Sequence, residues 1–284
     1  MSVRMRYRMC GVNGQVDGAR GQRFCLLHAP PSGQAVLGHV VYVHPFAEEM
    51  NAARHMAGMQ ARAMARAGFA VLQMDLMGCG DSSGHFEEAS WDAWVADVTL
   101  ARGWMLERWP GVAWLWGLRA GCLLAAQACR QDGLPAQLLL WQPVMSGKQH
   151  LHQFLRLQMA GDIVRGESSR STSRLIHLLE QGESVEVAGY SLSAALAQGM
   201  AQADLEALPA GTQIVCLELG DADIGAVSPA LSAQLQRWQT SGCNAQAHVV
   251  AGSVFWQMQE SPDSPAWLAT SLRSLGCAEA EVAL

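Results

Sequence analysis

Five residues, Gly117-Leu118-Arg119-Ala120-Gly121, have the spacing for chemistry on a carbonyl group. An apolar run, Val112-Ala113-Trp114-Leu115-Trp116, precedes them, and a stretch of small helix formers, Cys122-Leu123-Leu124-Ala125-Ala126-Gln127-Ala128, follows. Strand, sharp turn and helix in that order form the setting of a G-x-S-x-G nucleophile elbow. The glycines let the turn pack closely, and the helix N-terminus behind it suits an oxyanion. The nucleophile position, however, holds Arg119. A guanidinium is always charged, offers only donors and cannot attack a carbonyl. The pentapeptide therefore specifies a backbone shape while withdrawing its usual reaction.

Other reactive side chains lie nearby in sequence. Cys122 is three residues past the elbow centre, in a first helical turn where a thiol pKa can fall. Its side chain should point away from the apex, so packing is the expected role. Cys79, in the glycine-rich run Asp75-Leu76-Met77-Gly78-Cys79-Gly80-Asp81-Ser82-Ser83-Gly84, is expected as a small loop residue rather than a reactive thiol. Ser82 and Ser83 suit turn and cap hydrogen bonds.

The elements that must position these groups are legible. Residues 36–43 read as a buried strand, ended by His44-Pro45-Phe46. Helical periodicity over 52–67 ends at Gly68. Residues 69–74 form the next strand, 90–108 a tryptophan-rich helix, and 137–141 another strand. Residues 146–205 are more polar and predict a helical cap insertion, with a loop at 168–173. The alternation resumes with a strand at 212–219, a helix at about 228–241, a strand at 245–251 and a helix at about 264–276. Strands alternating with helices at this spacing predict an α/β fold: one domain with a mostly parallel sheet and helices on both faces.

Composition narrows the function classes. The chain has 284 residues, half of them hydrophobic, and a formal net charge of −6. No basic stripe is present and Lys148 is the only lysine, so nucleic acid is not an expected partner. The eight cysteines are scattered without metal-ligand spacing, which predicts no disulfide framework, no metal, no cofactor and a reducing, cytoplasmic setting. No apolar run is long enough for a transmembrane helix, and no signal peptide is visible.

In register with these strands, three segments resemble the α/β-hydrolase superfamily. His44-Pro45-Phe46 is similar to its H-G-x oxyanion loop, residues 75–82 to its D-x-x-G-x-G-x-S turn, and Gly117 to Gly121 to its elbow. More narrowly, Gly117-Leu118-Arg119 and the late Phe255-Trp256-Gln257 resemble the type 2 hydrolases associated with exosortase A systems, bacterial proteins linked with exopolysaccharide and protein-sorting loci. That label rests on fold.

The superfamily resemblance implies an acid after the 212–219 strand, where Asp221 and Asp223 both fit, and a histidine after the last strand. Residues 252–258 contain none. His248 lies inside the strand, away from the carboxyl ends where sites of parallel sheets form. Nucleophile and base are thus both missing, and a degenerate triad is expected. His44 is better placed, either supporting the oxyanion loop or touching a ligand.

A buried Arg119 requires an anion. It could come from the protein (Glu48, Glu49, Asp221 or Asp223) or from a ligand held by Arg119 and the Ala120 amide, with His44, Phe46, Glu48, Glu49 and Trp256 around it. The expectation is a hydrolase-fold protein lacking Ser-His-Asp catalysis that binds a small anionic or acyl ligand, or a protein partner through its cap. The competing expectation is an ester or thioester hydrolase working through an atypical site.

Overall fold

Continuous apolar runs place the central strands, because a strand covered on both faces needs no polar alternation. In the computed structural model, which describes residues 12–18, 21–132, 137–165, 171–205, 207–221, 225–258 and 263–277, ten strands appear. They are β1 (Val12–Gly18), β2 (Gly21–His28), β3 (Gly38–Val43), β4 (Phe69–Met74), β5 (Val112–Leu118), β6 (Gln137–Trp141), β7 (Val185–Val187), β8 (Tyr190–Leu192), β9 (Gln213–Leu219) and β10 (Asn244–Val250). Between them run α1 (Glu48–Arg66), α2 (Trp91–Arg108), α3 (Gly121–Asp132), α4 (Gly147–Arg165), α5 (Thr172–Glu180), α6 (Ala194–Gln202), α7 (Pro229–Thr240) and α8 (Pro265–Ser274).

Eight strands form one sheet in the order β1-β2-β4-β3-β5-β6-β9-β10. The six from β4 to β10 are parallel, and β1 and β2 add an antiparallel edge. The predicted α/β class, mostly parallel sheet and helices on both faces are therefore observed. Alternate residues of each strand serve opposite faces. Val40 and Tyr42 join the core under α1 and α8, whereas Val41 and Val43 join the core under α2, α3 and α7.

Helix starts follow their caps. Ser90, Ser171, Ser193 and Ser228 each accept a hydrogen bond from a first-turn amide of α2, α5, α6 and α7. Gly68, with a φ of 104°, closes α1 as predicted. Three expectations need correction. Helix α1 begins at Glu48 rather than at 52, because Glu48 and Glu49 suit the positive end of a first turn. The predicted loop at 168–173 gives way at Thr172 to α5, capped by Ser171; residues 168–170 lie outside the described residues. The segment at 146–205 is not wholly helical, since β7 and β8 form a hairpin within it. The β1–β2 ribbon has no counterpart among the predicted elements.

Candidate ligand pocket at the strand-to-helix turn

Between β5 and α3 the chain reverses over Arg119 and Ala120. Arg119 has a φ of 54°, a left-handed conformation that costs a side chain about 1–2 kcal/mol. Its N–H donates to Trp141 O at 3.0 Å, and its carbonyl accepts from Cys122 N–H at 3.0 Å. Both flanking glycines are required by space. A Cβ at Gly117 would stand 2.7 Å from the Cys122 backbone, and one at Gly121 would overlap Val43 O. The turn is thus pressed against the end of β3. The Ala120 N–H has no backbone partner among the described residues.

The Arg119 side chain is mostly buried, with 15% of its surface exposed, and meets the acid of α1. Its Nε donates to Glu49 Oε1 at 3.2 Å. One bond joins them rather than the fork-to-fork pair that guanidinium and carboxylate can form. Glu49 Oε2 is buried without any partner. Burial raises the Glu49 pKa, and Arg119 only partly opposes it. Beneath the guanidinium, the Trp256 ring lies with its centroid 5.6 Å from Cζ, within cation–π range.

Arg119 and Glu49 line a pocket of about 120 Å³, whereas Trp256, expected around the ligand, is 3% exposed and lies behind that lining. Arg119, Glu48, Glu49 and His150 supply its charge and polarity, Phe46, Phe154 and Leu157 its apolar wall, and Gln153 and Gln257 the remainder. Phe46 and Phe154 pack edge to face at 4.9 Å. Glu48 is tied outward, accepting from Tyr190 Oη at 3.0 Å and Asn51 Nδ2 at 3.4 Å. His150 comes from the first turn of α4. It is 6% exposed, and its Nδ1 is buried without a partner. Burial, with Arg119 as second cause, lowers its pKa to about 4, so it is neutral near pH 7.

The other sequence-selected groups sit elsewhere or are otherwise engaged. His44 is 4% exposed, and both ring nitrogens serve the backbone: Nδ1 donates to Pro45 O at 2.8 Å and Nε2 accepts from Leu76 N–H at 3.2 Å. It clamps the oxyanion-like loop to the glycine-rich turn and does not line the pocket. Ala120 is 2% exposed and also lies behind the lining. Asp221 is exposed at the end of β9, and Asp223 lies outside the described residues; the anion that meets Arg119 is Glu49. Cys122 and Cys79 are buried. Burial drives the Cys122 thiol pKa well up and that of Cys79 to about 12, so neither is an activated nucleophile.

After β10, where the resemblance implies a histidine, Phe255 and Trp256 form a 3-10 turn buried at 0% and 3% exposure. Phe255 packs at 5.9 Å on Trp141 and 5.7 Å on Trp267, extending an aromatic stack that continues through Trp116 to Tyr42. The loop is therefore a hydrophobic plug beneath Arg119. His248 lies within β10, opposite Leu217 of β9 and only two residues from the strand's carboxyl end, which corrects the expectation that it sits away from that end; it does not line the pocket.

Comparison with known proteins places this geometry. Residues 34–202, more than half of the chain, match the family model described as serine aminopeptidase, S33. The chain belongs to this family. Solved α/β-hydrolase structures superpose over most of its length. Est1E from Butyrivibrio proteoclasticus has 11% identity and a TM-score of 0.60, with 94% of this chain and 100% of that one covered. An α/β serine hydrolase without lid from Xanthomonas campestris has 17% identity and a TM-score of 0.55, covering 95% and 96%. A thermostable carboxyl esterase from Bacillus coagulans has 15% identity and a TM-score of 0.55, covering 89% and 91%. Such low identities show a shared fold alone. Curated protein sequences give no match.

Within this S33-family frame, the residue that sequence reasoning missed is His150. The superfamily pattern points to a histidine in the loop after the last strand, and His44 and His248 are the other candidates in the sequence. The signal lay after β6, where Ser146 caps a helix whose first turn carries His150. Gly147 seats that turn, because a Cβ there would overlap Met200 O of α6.

Proposed function

We propose that this S33-family chain has exchanged serine hydrolysis for binding, and that the pocket beside Arg119 holds a small anionic or acyl ligand. The observation that carries this is the single-bonded Arg119–Glu49 pair at the elbow apex, with one carboxylate oxygen left unmet in the pocket wall. A cation with spare donors, next to apolar Phe46 and Phe154, suits a carboxylate with a hydrocarbon body. No serine stands at the apex and no histidine follows β10, so the two proton-transfer steps of acyl-enzyme chemistry lack their groups. Residues 146–205 act as a cap in this proposal, with α4 contributing His150 and Phe154 to the pocket; the cap's outer face is the proposed seat of a protein partner. The Gly117-Leu118-Arg119 elbow and Phe255-Trp256-Gln257 support assignment to the exosortase-associated hydrolases and a cytoplasmic role beside exopolysaccharide production.

The second reading is ester or thioester hydrolysis by water. The Ala120 N–H, without a backbone partner among the described residues, favours it, because the amide at this elbow position is where an oxyanion would rest, although it lies behind the present pocket lining.

Hydrolysis of p-nitrophenyl and thioester substrates separates the two. The binding reading expects no turnover above background, none gained in Arg119→Ser, and a rise in melting temperature with hexanoate that Arg119→Ala loses. Turnover that Arg119→Ala abolishes would establish the hydrolytic reading instead.

A further inference from the structure

The pocket carries a pattern of unmet hydrogen-bonding groups finer than its charge. Arg119 commits Nε to Glu49 Oε1, while its terminal amino groups meet no protein acceptor among the described residues. Glu49 Oε2 is a buried acceptor without a donor, and His150 Nδ1 is buried without a partner on a side chain that is 6% exposed. Buried polar atoms are rarely left unpaired, and a group of them around one cavity is a template for what fills it. Arg119 asks for a negatively charged acceptor, and Glu49 asks for a donor. A plain carboxylate brings acceptors only and would face Glu49 Oε2 with like charge. An alcohol brings a donor but leaves the guanidinium unmet. Inorganic phosphate adds charge that Glu49 opposes and leaves Phe46 and Phe154 uncovered.

Resting on the ligand-binding reading above, we propose that the pocket selects a short-chain hydroxy-carboxylate. Its carboxylate takes the free amino groups of Arg119, its hydroxyl donates to Glu49 Oε2, and its hydrocarbon lies against Phe46 and Phe154. His150 Nδ1 closes the head group's remaining hydrogen bond. The volume of about 120 Å³ restricts the enclosed part to a short chain. Leu157, 51% exposed on the lining, marks where a longer tail would reach solvent.

Calorimetric titration of the full chain with hexanoate, 2-hydroxyhexanoate, 3-hydroxyhexanoate and 1-hexanol tests this. At least one hydroxy acid is expected to bind about tenfold more tightly than hexanoate, as a hydrogen bond to a charged acceptor allows. Hexanol is expected not to bind. Glu49→Leu is expected to bring the hydroxy acid to hexanoate ratio below about threefold, and Arg119→Met to remove binding of all acids. Hydroxy acids no better than hexanoate would overturn this inference while leaving the anion-binding reading intact. No binding by any of the acids, or hexanol binding as well as hexanoate, would overturn both. The ratio measured on the natural chain decides the matter even if Glu49→Leu fails to fold.

Discussion

The glycine-rich turn at 75–84 and the pocket beside Arg119 follow the two strands that flank β3, and they treat polar atoms in opposite ways. In the turn, polar groups close on one another. Ser82 Oγ donates to Asp75 O and accepts from Phe24 N–H, and Asp75 accepts from Arg54 and from Asp81 N–H. Asp97 Oδ2 receives both Arg23 Nε at 2.7 Å and Met77 N–H at 2.8 Å, and His44 spends both nitrogens on backbone. In the pocket, Glu49 Oε2 and His150 Nδ1 are buried and unmet. The first region is complete as folded, so its charges and histidine hold the loop in place. The second is incomplete as folded, which is the condition for a ligand to add stability. A buried histidine or carboxylate therefore does not announce a site; unmet atoms grouped with a charged side chain around one pocket do.

The contrast can be broken most forcefully at Asp97. Arg23 is 2% exposed, and Asp97→Ala would leave it as an uncompensated buried charge. A loss of about 3–5 kcal/mol in urea unfolding is expected, with ligand affinity of the folded protein unchanged. A loss of ligand affinity at constant fold would make the two regions one.

His150 comes next. The folded protein keeps it neutral down to about pH 4, whereas an unfolded chain protonates it near 6.5. The unfolded state binds more protons in that window, so stability falls as pH drops from about 6.5 to 4. His150→Gln is expected to remove on the order of 3 kcal/mol of that acid loss, read from unfolding curves at pH 7 and pH 4.5. An unchanged acid loss would show that His150 is not held neutral by its pocket.

Ser82→Ala removes a donor and an acceptor from the closed network and should cost about 1–3 kcal/mol by thermal or urea unfolding. A neutral result would mean the turn is not held by those bonds. The smallest stability effect belongs to the open region. Glu49→Gln withdraws the charge that faces a mostly buried Arg119, but burial already opposes that charge, so a loss of about 1–2 kcal/mol is expected. Its effect appears in binding instead. Protonation of Glu49 withdraws the charge that competes for Arg119, so carboxylate affinity of the natural chain should rise as pH falls, and Glu49→Gln should bind more tightly with a flatter pH profile. Equal pH profiles would remove Glu49 from the site.

What the sequence determined by itself was the frame. Strands at 69–74 and 137–141 were legible to the residue, because buried parallel strands are short apolar runs with sharp polar or glycine ends. The elbow was legible because only glycine fits where Gly117 meets Cys122 and Gly121 meets Val43. The lack of a serine at the apex and of a histidine after β10 was legible by simple inspection. The β1–β2 ribbon and the β7–β8 hairpin were not, since a strand that borrows its partner from elsewhere shows little periodicity of its own. Tertiary structure alone decided which of four acids meets Arg119: the start of α1 brings Glu49 to 3.2 Å, while Glu48, one residue away, is drawn to Tyr190. It alone brought His150 from α4 to the pocket, across a sequence separation that no spacing rule spans. The physical reason is that burial and hydrogen-bond partners are properties of assembled surfaces. The chain order encodes which atoms are polar, and only the packed fold determines which of them are left unmet.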